Sequence, residues 1–296
     1  MRIRALLLDT CRELLYRKTL LFYFGIVTLT HLLLLLALQT DAANGLITSV
    51  RVFGMEGRAG GGGFQLDNRA APGGMMLDAA TLVRGVEVAV AWILYPMGIM
   101  LSVFATASLV PRMLEKGSID LLLSKPVSRP ALFAARWLGG FTVAGANLVY
   151  LVGGVGTIMG FKVGIWNWGF LLSGLMMAAY FGALLGYLVL IGMLLRSTTI
   201  GVMLTGVIYF ASLLVFFPHA NADWPMLITS RFARFGAQTV VEVLYHALPR
   251  TYEFGQIATS LIMERPIESW APVGGTLLSG SAALLAAVLL FRRTDF

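Results

Sequence analysis

Cysteine and charged residues are both scarce in this sequence. Cys11 is the only cysteine among 296 residues, which excludes a disulfide within the chain and a metal site built from several cysteines. Charged residues make up 12% of the chain and hydrophobic residues 58%, whereas a soluble domain carries about 25% charged residues. The composition therefore excludes an ordinary soluble domain and predicts a polytopic membrane protein.

The sequence signatures of common catalytic sites are also missing. The chain contains no phosphate-binding loop ending in Gly-Lys-Ser/Thr, no His-Glu-x-x-His zinc helix and no Gly-x-Ser-x-Gly nucleophile elbow. The glycine run at 60–63 lacks a following lysine, so a flexible loop is expected there. His219 and His246 have no motif partner and are interpreted as ordinary polar positions. We therefore predict no catalytic residue, no metal site, no cofactor and no enzymatic activity in this chain.

Six long uncharged runs dominate the sequence. At a rise of about 1.5 Å per residue, each can cross about 30 Å of hydrocarbon as a helix. Their centres carry no carboxylate or basic side chain, although proton- and ion-coupled carriers usually place such groups there. We predict an all-α integral membrane protein that forms one transmembrane domain over 1–296. The predicted spans are residues 19–40, 88–111, 137–161, 169–195, 197–217 and 272–291.

The segments outside these runs divide into three kinds. Residues 1–18 place Ile3, Leu7 and Leu14 on one face and are predicted to form an amphipathic helix at the membrane interface. A signal peptide is the competing interpretation, which the acidic residues and the long apolar run that follows disfavour. Residues 41–85 and 218–271 are predicted external loops, the second with two short amphipathic helices around Pro249 before the last span. Residues 112–136 are a predicted cytoplasmic loop.

The basic residues predict the orientation of the chain. With both termini in the cytoplasm, thirteen of the 22 lysine and arginine residues lie in short inner segments, and only Lys162 lies in a short outer one. The net charge of +7 is therefore interpreted as a membrane-orientation signal, and no nucleic-acid partner is predicted. The inner residues are Arg2, Arg4, Arg12, Arg17, Lys18, Arg112, Lys116, Lys125, Arg129, Arg136, Arg196, Arg292 and Arg293.

The loop at 112–136 contains a short predicted helix. Gly117 interrupts the helix arriving from the second run, Ser118 can cap a new helix, and Pro126 ends it. Helical spacing then puts three apolar side chains on one face. This pattern favours a knob that docks on a cytoplasmic partner, and the alternative is a positively charged loop lying on the membrane. The apolar residues are Ile119, Leu122 and Leu123.

This loop resembles the cytoplasmic loop of the type-2 ABC transporter permease family. The resemblance is carried by Glu115, Gly117 and the stretch 119–129, by the C-terminal stretch 291–296, and by the six-span layout. It implies a coupling helix that sits in a groove of a separate ATPase subunit. The ATPase-docking residues implied in this way are Glu115, Gly117, Ile119, Asp120, Leu122, Leu123, Lys125, Pro126 and Arg129.

The resemblance also implies the partners and the location of the chain. They are two cytoplasmic ABC ATPase subunits, which hold the ATP and magnesium, and a second permease copy, as a homodimer or a pair with a similar permease. The assembly would be an exporter in the bacterial plasma (inner) membrane that works by alternating access. Gly156 with Gly160, and Gly182 with Gly186, form small-xxx-small faces that suit helix contacts within or between subunits.

Other functions stay open on the sequence alone. The chain could be a membrane anchor or assembly scaffold that transports nothing and recruits a partner through the same loop. An integral membrane enzyme acting on lipids is a third class, which the missing polar clusters disfavour. His31 is either bonded to a neighbouring carbonyl or threonine, or it is a substrate-binding candidate in the first span. The cargo cannot be read from these residues.

Overall fold

A computed structural model describes residues 10, 12, 18–43, 46–52, 55–60, 63–66, 76–77, 79–109, 111, 129–220 and 231–293. Within these residues the chain forms eight helices and five strands. The predicted interfacial helix over 1–18 lies outside the described residues except at 10, 12 and 18. The predicted coupling segment lies outside them over 112–128.

Six of the eight helices are long and apolar enough to cross a membrane, as predicted. The second begins at Ala79, well before residue 88, and the third begins at Arg129 instead of 137. The prediction that the fifth span ends at residue 217, before Pro218, was wrong. The helix contains Pro218 and extends to Ala220, because a proline removes only a single backbone donor. The six are α1 Lys18–Ala37, α2 Ala79–Thr106, α3 Arg129–Val163, α4 Trp168–Leu195, α5 Thr198–Ala220 and α8 Ala271–Arg293.

Two shorter helices precede the last span, as the apolar spacing around Pro249 predicted. They are α6, Arg231–Ala247, and α7, Thr251–Ile262. Proline lacks the backbone N–H that a continuous helix would need at this point, so the chain turns between them. The predicted apolar face of α7 is buried at Phe254 and Ile262.

Five described segments between positions 38 and 77 form strands, which the prediction of an all-α fold with a flexible loop over 41–85 did not include. The five strands pair in chain order as one antiparallel sheet. The first three connections span two residues each, a length typical of hairpins. The glycines of this stretch gave no indication of strands in the sequence, because glycine is uncommon in strands and strand propensity depends strongly on context. The strands are β1 Leu38–Ala43, β2 Leu46–Val52, β3 Met55–Gly60, β4 Gly63–Leu66 and β5 Met76–Leu77.

The centre of the helical part is α4. It packs against α3, α5, α7 and α8, and it buries side chains around its circumference, among them Phe170, Tyr180 and Leu184. A helix that is apolar on all sides is stable where neighbours cover it. The Asn167 side chain caps its first turn, and Arg196 ends it in a left-handed conformation with φ 48°.

Close glycine contacts join α4 to α8. A Cβ added to Gly186 would collide with the backbone oxygen of Gly280, and a Cβ added to Gly280 would lie 2.5 Å from the Cα of Ala183. The other glycines of the two predicted small-xxx-small faces also pack within the chain, where an added Cβ would meet Leu171, Trp166 or Phe141. These faces therefore hold the helices of one chain together.

We expect Gly280→Ala to lower the free energy of unfolding by about 1 to 3 kcal/mol, because the added methyl group pushes two helix backbones apart. Gly274 provides a matched control on the same helix, since an added Cβ there has no neighbour within 4 Å. Thermal unfolding of both variants in detergent measures the difference. Equal melting temperatures for Gly280→Ala and Gly274→Ala would contradict the close α4–α8 contact.

The side chain of Lys162, at the end of α3, hydrogen-bonds backbone carbonyl groups at the C-terminal end of α1. Its Nζ donates to the backbone oxygen of Leu38 at 2.6 Å and to that of Leu35. A cation is favourable at this end of a helix because the last carbonyl groups have no partner within the helix and carry partial negative charge. The one basic residue that the predicted topology assigned to a short external segment therefore has a structural role.

Candidate functional site

The candidate functional site is a groove bounded by α2, α5 and α7. Its floor depends on α7, which packs against α2, α4 and α5. On its buried side α7 contributes Phe254, Ile257 and Ala258 to the core. The opposite side carries Glu253, Gln256 and Ser260, which line the groove.

One asparagine fixes α7 to the membrane helices. The Nδ2 of Asn167 donates to the Oε2 of Glu87 at 2.6 Å and to the backbone oxygen of Ile262 at 2.8 Å. Its Oδ1 accepts from the backbone N–H of Phe170 at 3.2 Å and so caps α4. A single side-chain amide therefore ties α2, the start of α4 and the end of α7 together.

Glu87 is a fully buried carboxylate inside α2. Its Oε1 has no hydrogen-bond partner among the described residues. Arg84, one turn earlier, forms an ion pair with Glu264 that is partly exposed to solvent. A buried carboxylate is costly unless hydrogen bonds compensate the lost water. The contact with Asn167 is therefore the main support of this group.

A cluster of buried hydroxyl groups joins α4, α5 and α7 beside the groove. The Oη of Tyr180 and the Oγ of Ser212 both hydrogen-bond the Oγ1 of Thr251, and all three residues are buried. Tyr95 and Ser173 form a second buried pair with a distance of 2.8 Å between their oxygen atoms. These bonds satisfy polar groups that would otherwise be unpaired in an apolar environment, and they hold α4, α5 and α7 in place.

The groove has an apolar section and a polar section. The apolar section is a cavity of about 210 Å³ between α2, α5 and α7. The polar section is a larger cavity of about 620 Å³ beside α7 and the start of α8. Trp92, Tyr252 and Thr259 line both sections, so the two adjoin at these residues. Other side chains of the apolar section are Tyr95, Pro96, Met177, Phe210 and Leu213.

A stack of polar side chains supports the outer wall of the groove. The Tyr245 hydroxyl donates to the Oε1 of Glu253 at 2.8 Å, and the Arg250 guanidinium lies 4.4 Å from the centre of the Tyr245 ring. Burial, together with the hydrogen bond to Glu253, raises the pKa of Tyr245 to about 12. The tyrosine therefore keeps its proton, and its hydrogen bond, throughout the physiological range.

His219 and His246 share one carboxylate, that of Glu242. The Nδ1 of His219 lies 3.1 Å from Oε2 of Glu242, and the Nδ1 of His246 lies 3.5 Å from Oε1 of the same residue. His219 also stacks on Tyr245, with ring centres 3.5 Å apart. The described residues contain no group of three or more histidine, cysteine or acidic residues that could hold a metal. The contacts join the end of α5 to α6.

His31, the predicted substrate-binding candidate, is bonded to a neighbouring carbonyl. Its Nε2 donates to the backbone oxygen of Leu151 at 3.1 Å, and the ring meets the Tyr150 ring edge-on with centres 4.9 Å apart. Gly154 makes room for the ring, because a Cβ there would overlap it. His31 lies between α1 and α3, away from the groove.

The predicted ATPase-docking residues fall largely outside the described part of the chain. Glu115, Gly117, Ile119, Asp120, Leu122, Leu123, Lys125 and Pro126 are all in the segment 112–128. Arg129 is the first residue of α3. The docking role of these residues stays a prediction.

Sequence reasoning did not identify Glu87 and Asn167 as a pair. The predicted second span begins at residue 88 and leaves Glu87 just outside it, whereas α2 begins at Ala79. A helix start at Ala79 would have shown that Glu87 lies within an apolar helix. Asn167 immediately before an apolar run was a recognisable N-cap signal.

Comparison with known proteins identifies no relative: no family model matches the chain, and no curated protein matches it.

Proposed function

We propose that this chain is the membrane-spanning permease subunit of an ATP-driven ABC exporter. The observation that carries the proposal is the layout of six candidate spans, with the charged segment 112–136 between the second and the third. Both termini of the chain are proposed to lie in the cytoplasm of a bacterial cell, with the chain in the plasma (inner) membrane. A second permease copy and two ATPase subunits complete the assembly.

The proposed mechanism transmits movement through α2. The segment 112–128 follows α2 after the five residues 107–111, and α2 forms one wall of the groove through Trp92, Tyr95 and Pro96. Closure of the ATPases on ATP would push this segment and thereby shift α2 relative to α5 and α7. A shift of this kind opens and closes the groove in turn, as alternating access requires.

The chain supplies the path and the docking segment, and the partner supplies the energy. ATP and Mg²⁺ are bound in the ATPase subunits, because this sequence lacks the glycine-rich backbone cradle and the lysine that hold ATP phosphates. The chain is therefore proposed not to be an enzyme and not to carry a cofactor of its own.

Purification from the native cell tests the proposal. We expect two copies each of the permease and a P-loop ATPase to copurify, with ATP hydrolysis present in the complex and absent from the isolated chain. Magnesium-dependent turnover by the isolated chain would contradict it. Copurification of a partner other than an ATPase would instead favour the membrane-scaffold alternative.

Cysteine labelling in whole cells tests the topology. In a Cys11→Ser background, we expect Gly61→Cys to react with an impermeant maleimide added outside, because the first long loop is external in the proposed orientation. Ser124→Cys and Thr294→Cys should react only after permeabilisation. External labelling at 124 or 294, or protection at 61, would reject the orientation.

A further inference from the structure

The groove between α2, α5 and α7 changes in polarity along its length. Its apolar section lies beside Trp92, Tyr95 and Pro96, near the middle of the candidate span Val83–Thr106. Its polar section lies beside the connection between α7 and α8 and reaches Pro272 at the start of the last span. The groove therefore runs from one end of the spans toward their middle, the direction in which a lipid chain enters a bilayer leaflet.

The polar section carries unpaired charges of both signs. Arg265 and Glu268 line it, and both are exposed. Neither side chain has an ion pair or a side-chain hydrogen bond among the described residues. Gln256, Ser260 and Ser269 add neutral hydrogen-bonding groups. This chemistry complements a head group that itself carries a positive and a negative charge.

The apolar section is a narrow cleft. Its volume of about 210 Å³ is below the range of about 300 to 1,000 Å³ typical of sites for compact drug-sized ligands. Two aromatic side chains, Trp92 and Tyr252, stand where it meets the polar section. A single hydrocarbon chain fits such a cleft better than a folded surface of another protein does.

We propose that this groove binds a zwitterionic phospholipid, with the phosphate at Arg265, the ammonium group at Glu268 and one acyl chain between α2 and α5. The inference that this lipid class is the cargo rests on the proposed exporter function. Binding itself depends only on the groove.

A glycine in the cleft permits a direct test. Gly255 lines the apolar section, and a Cβ added there has no neighbour within 4 Å, so Gly255→Leu introduces an apolar side chain at the cleft without a clash at its Cβ. Gly236 on α6 is equally open but lies outside the groove, so Gly236→Leu is the matched control. Native mass spectrometry of the purified chain measures retained phosphatidylethanolamine, phosphatidylglycerol and diacylglycerol, together with the oligomeric state.

We expect phosphatidylethanolamine to be retained above the other two lipids. Keeping only two methylene groups of the acyl chain out of the cleft weakens lipid binding about tenfold. Gly255→Leu should therefore lower the amount of retained lipid by at least about tenfold, and Gly236→Leu should not change it. Arg265→Gln and Glu268→Gln should each lower the preference for phosphatidylethanolamine over diacylglycerol by about two- to fivefold.

Three results would overturn the inference. Equal retention of all three lipids with no effect of Gly255→Leu would indicate ordinary boundary lipid. Loss of dimers in Gly255→Leu with lipid retention unchanged would identify the groove as a contact between two copies. Normal ATP-driven transport of the native cargo by Gly255→Leu would overturn the inference that this lipid class is the cargo. Selective lipid binding by a chain that copurifies with no ATPase from the native cell would reject the exporter proposal and leave this site intact.

Discussion

Asn167→Asp should lower the free energy of unfolding by about 3 kcal/mol, because it removes the only hydrogen-bond donor that the described residues offer to the buried Glu87 carboxylate. Aspartate is a good helix N-cap, so the bond to the backbone N–H of Phe170 can persist. What is lost is donation to Glu87 and to the backbone oxygen of Ile262. An apparent melting temperature about 6 to 10 °C lower in detergent would report this loss.

The double variant Asn167→Asp with Glu87→Gln separates this explanation from a general packing defect. A glutamine at 87 can donate to an aspartate at 167, which restores the lost bond with donor and acceptor exchanged. We therefore expect it to recover a large part of the stability. Glu264→Gln is the control, because that carboxylate forms a partly exposed ion pair with Arg84 worth less than about 1 kcal/mol. No recovery in the double variant would contradict the pairing of Glu87 with Asn167.

Leu122→Ala should weaken docking of the proposed ATPase partner by about 2 kcal/mol or more, since truncation of a large apolar anchor at an interface removes most of its contribution. Lys125→Ala, at the polar rim, should cost less than about 1 kcal/mol and depend on salt. Gly117→Ala should impair coupling, because alanine favours a continuous helix through position 117 and would turn the predicted apolar face away from its proposed partner. The measurements are ATPase pull-down and substrate-stimulated ATP hydrolysis.

The order of the three effects decides between two interpretations of the loop. A docking helix requires Leu122→Ala and Gly117→Ala to impair assembly or coupling more than Lys125→Ala does, in protein that is correctly inserted. Unchanged assembly and coupling in all three variants would leave a positively charged loop whose only role is to orient the chain.

The sequence alone determined which parts of the chain form helices long and apolar enough to cross a membrane. A run of some twenty uncharged residues must satisfy its backbone groups internally in lipid, and a helix does this without a partner, so composition and length suffice. The same local reasoning located the turn at Pro249 and the buried face of α7. It did not reveal the strands at 38–77, because strands are stabilised by pairing with residues that are distant in sequence.

Only the tertiary structure decided which polar groups meet. Glu87, Asn167 and Ile262 lie on three helices, and no local pattern relates positions 80 and 95 residues apart. The contacts of Gly186 with Gly280 and of Lys162 with the end of α1 are of the same kind. Helical periodicity tells which side of a helix is apolar, but the partner that covers it depends on how helices cross, and that is set by packing of the whole bundle.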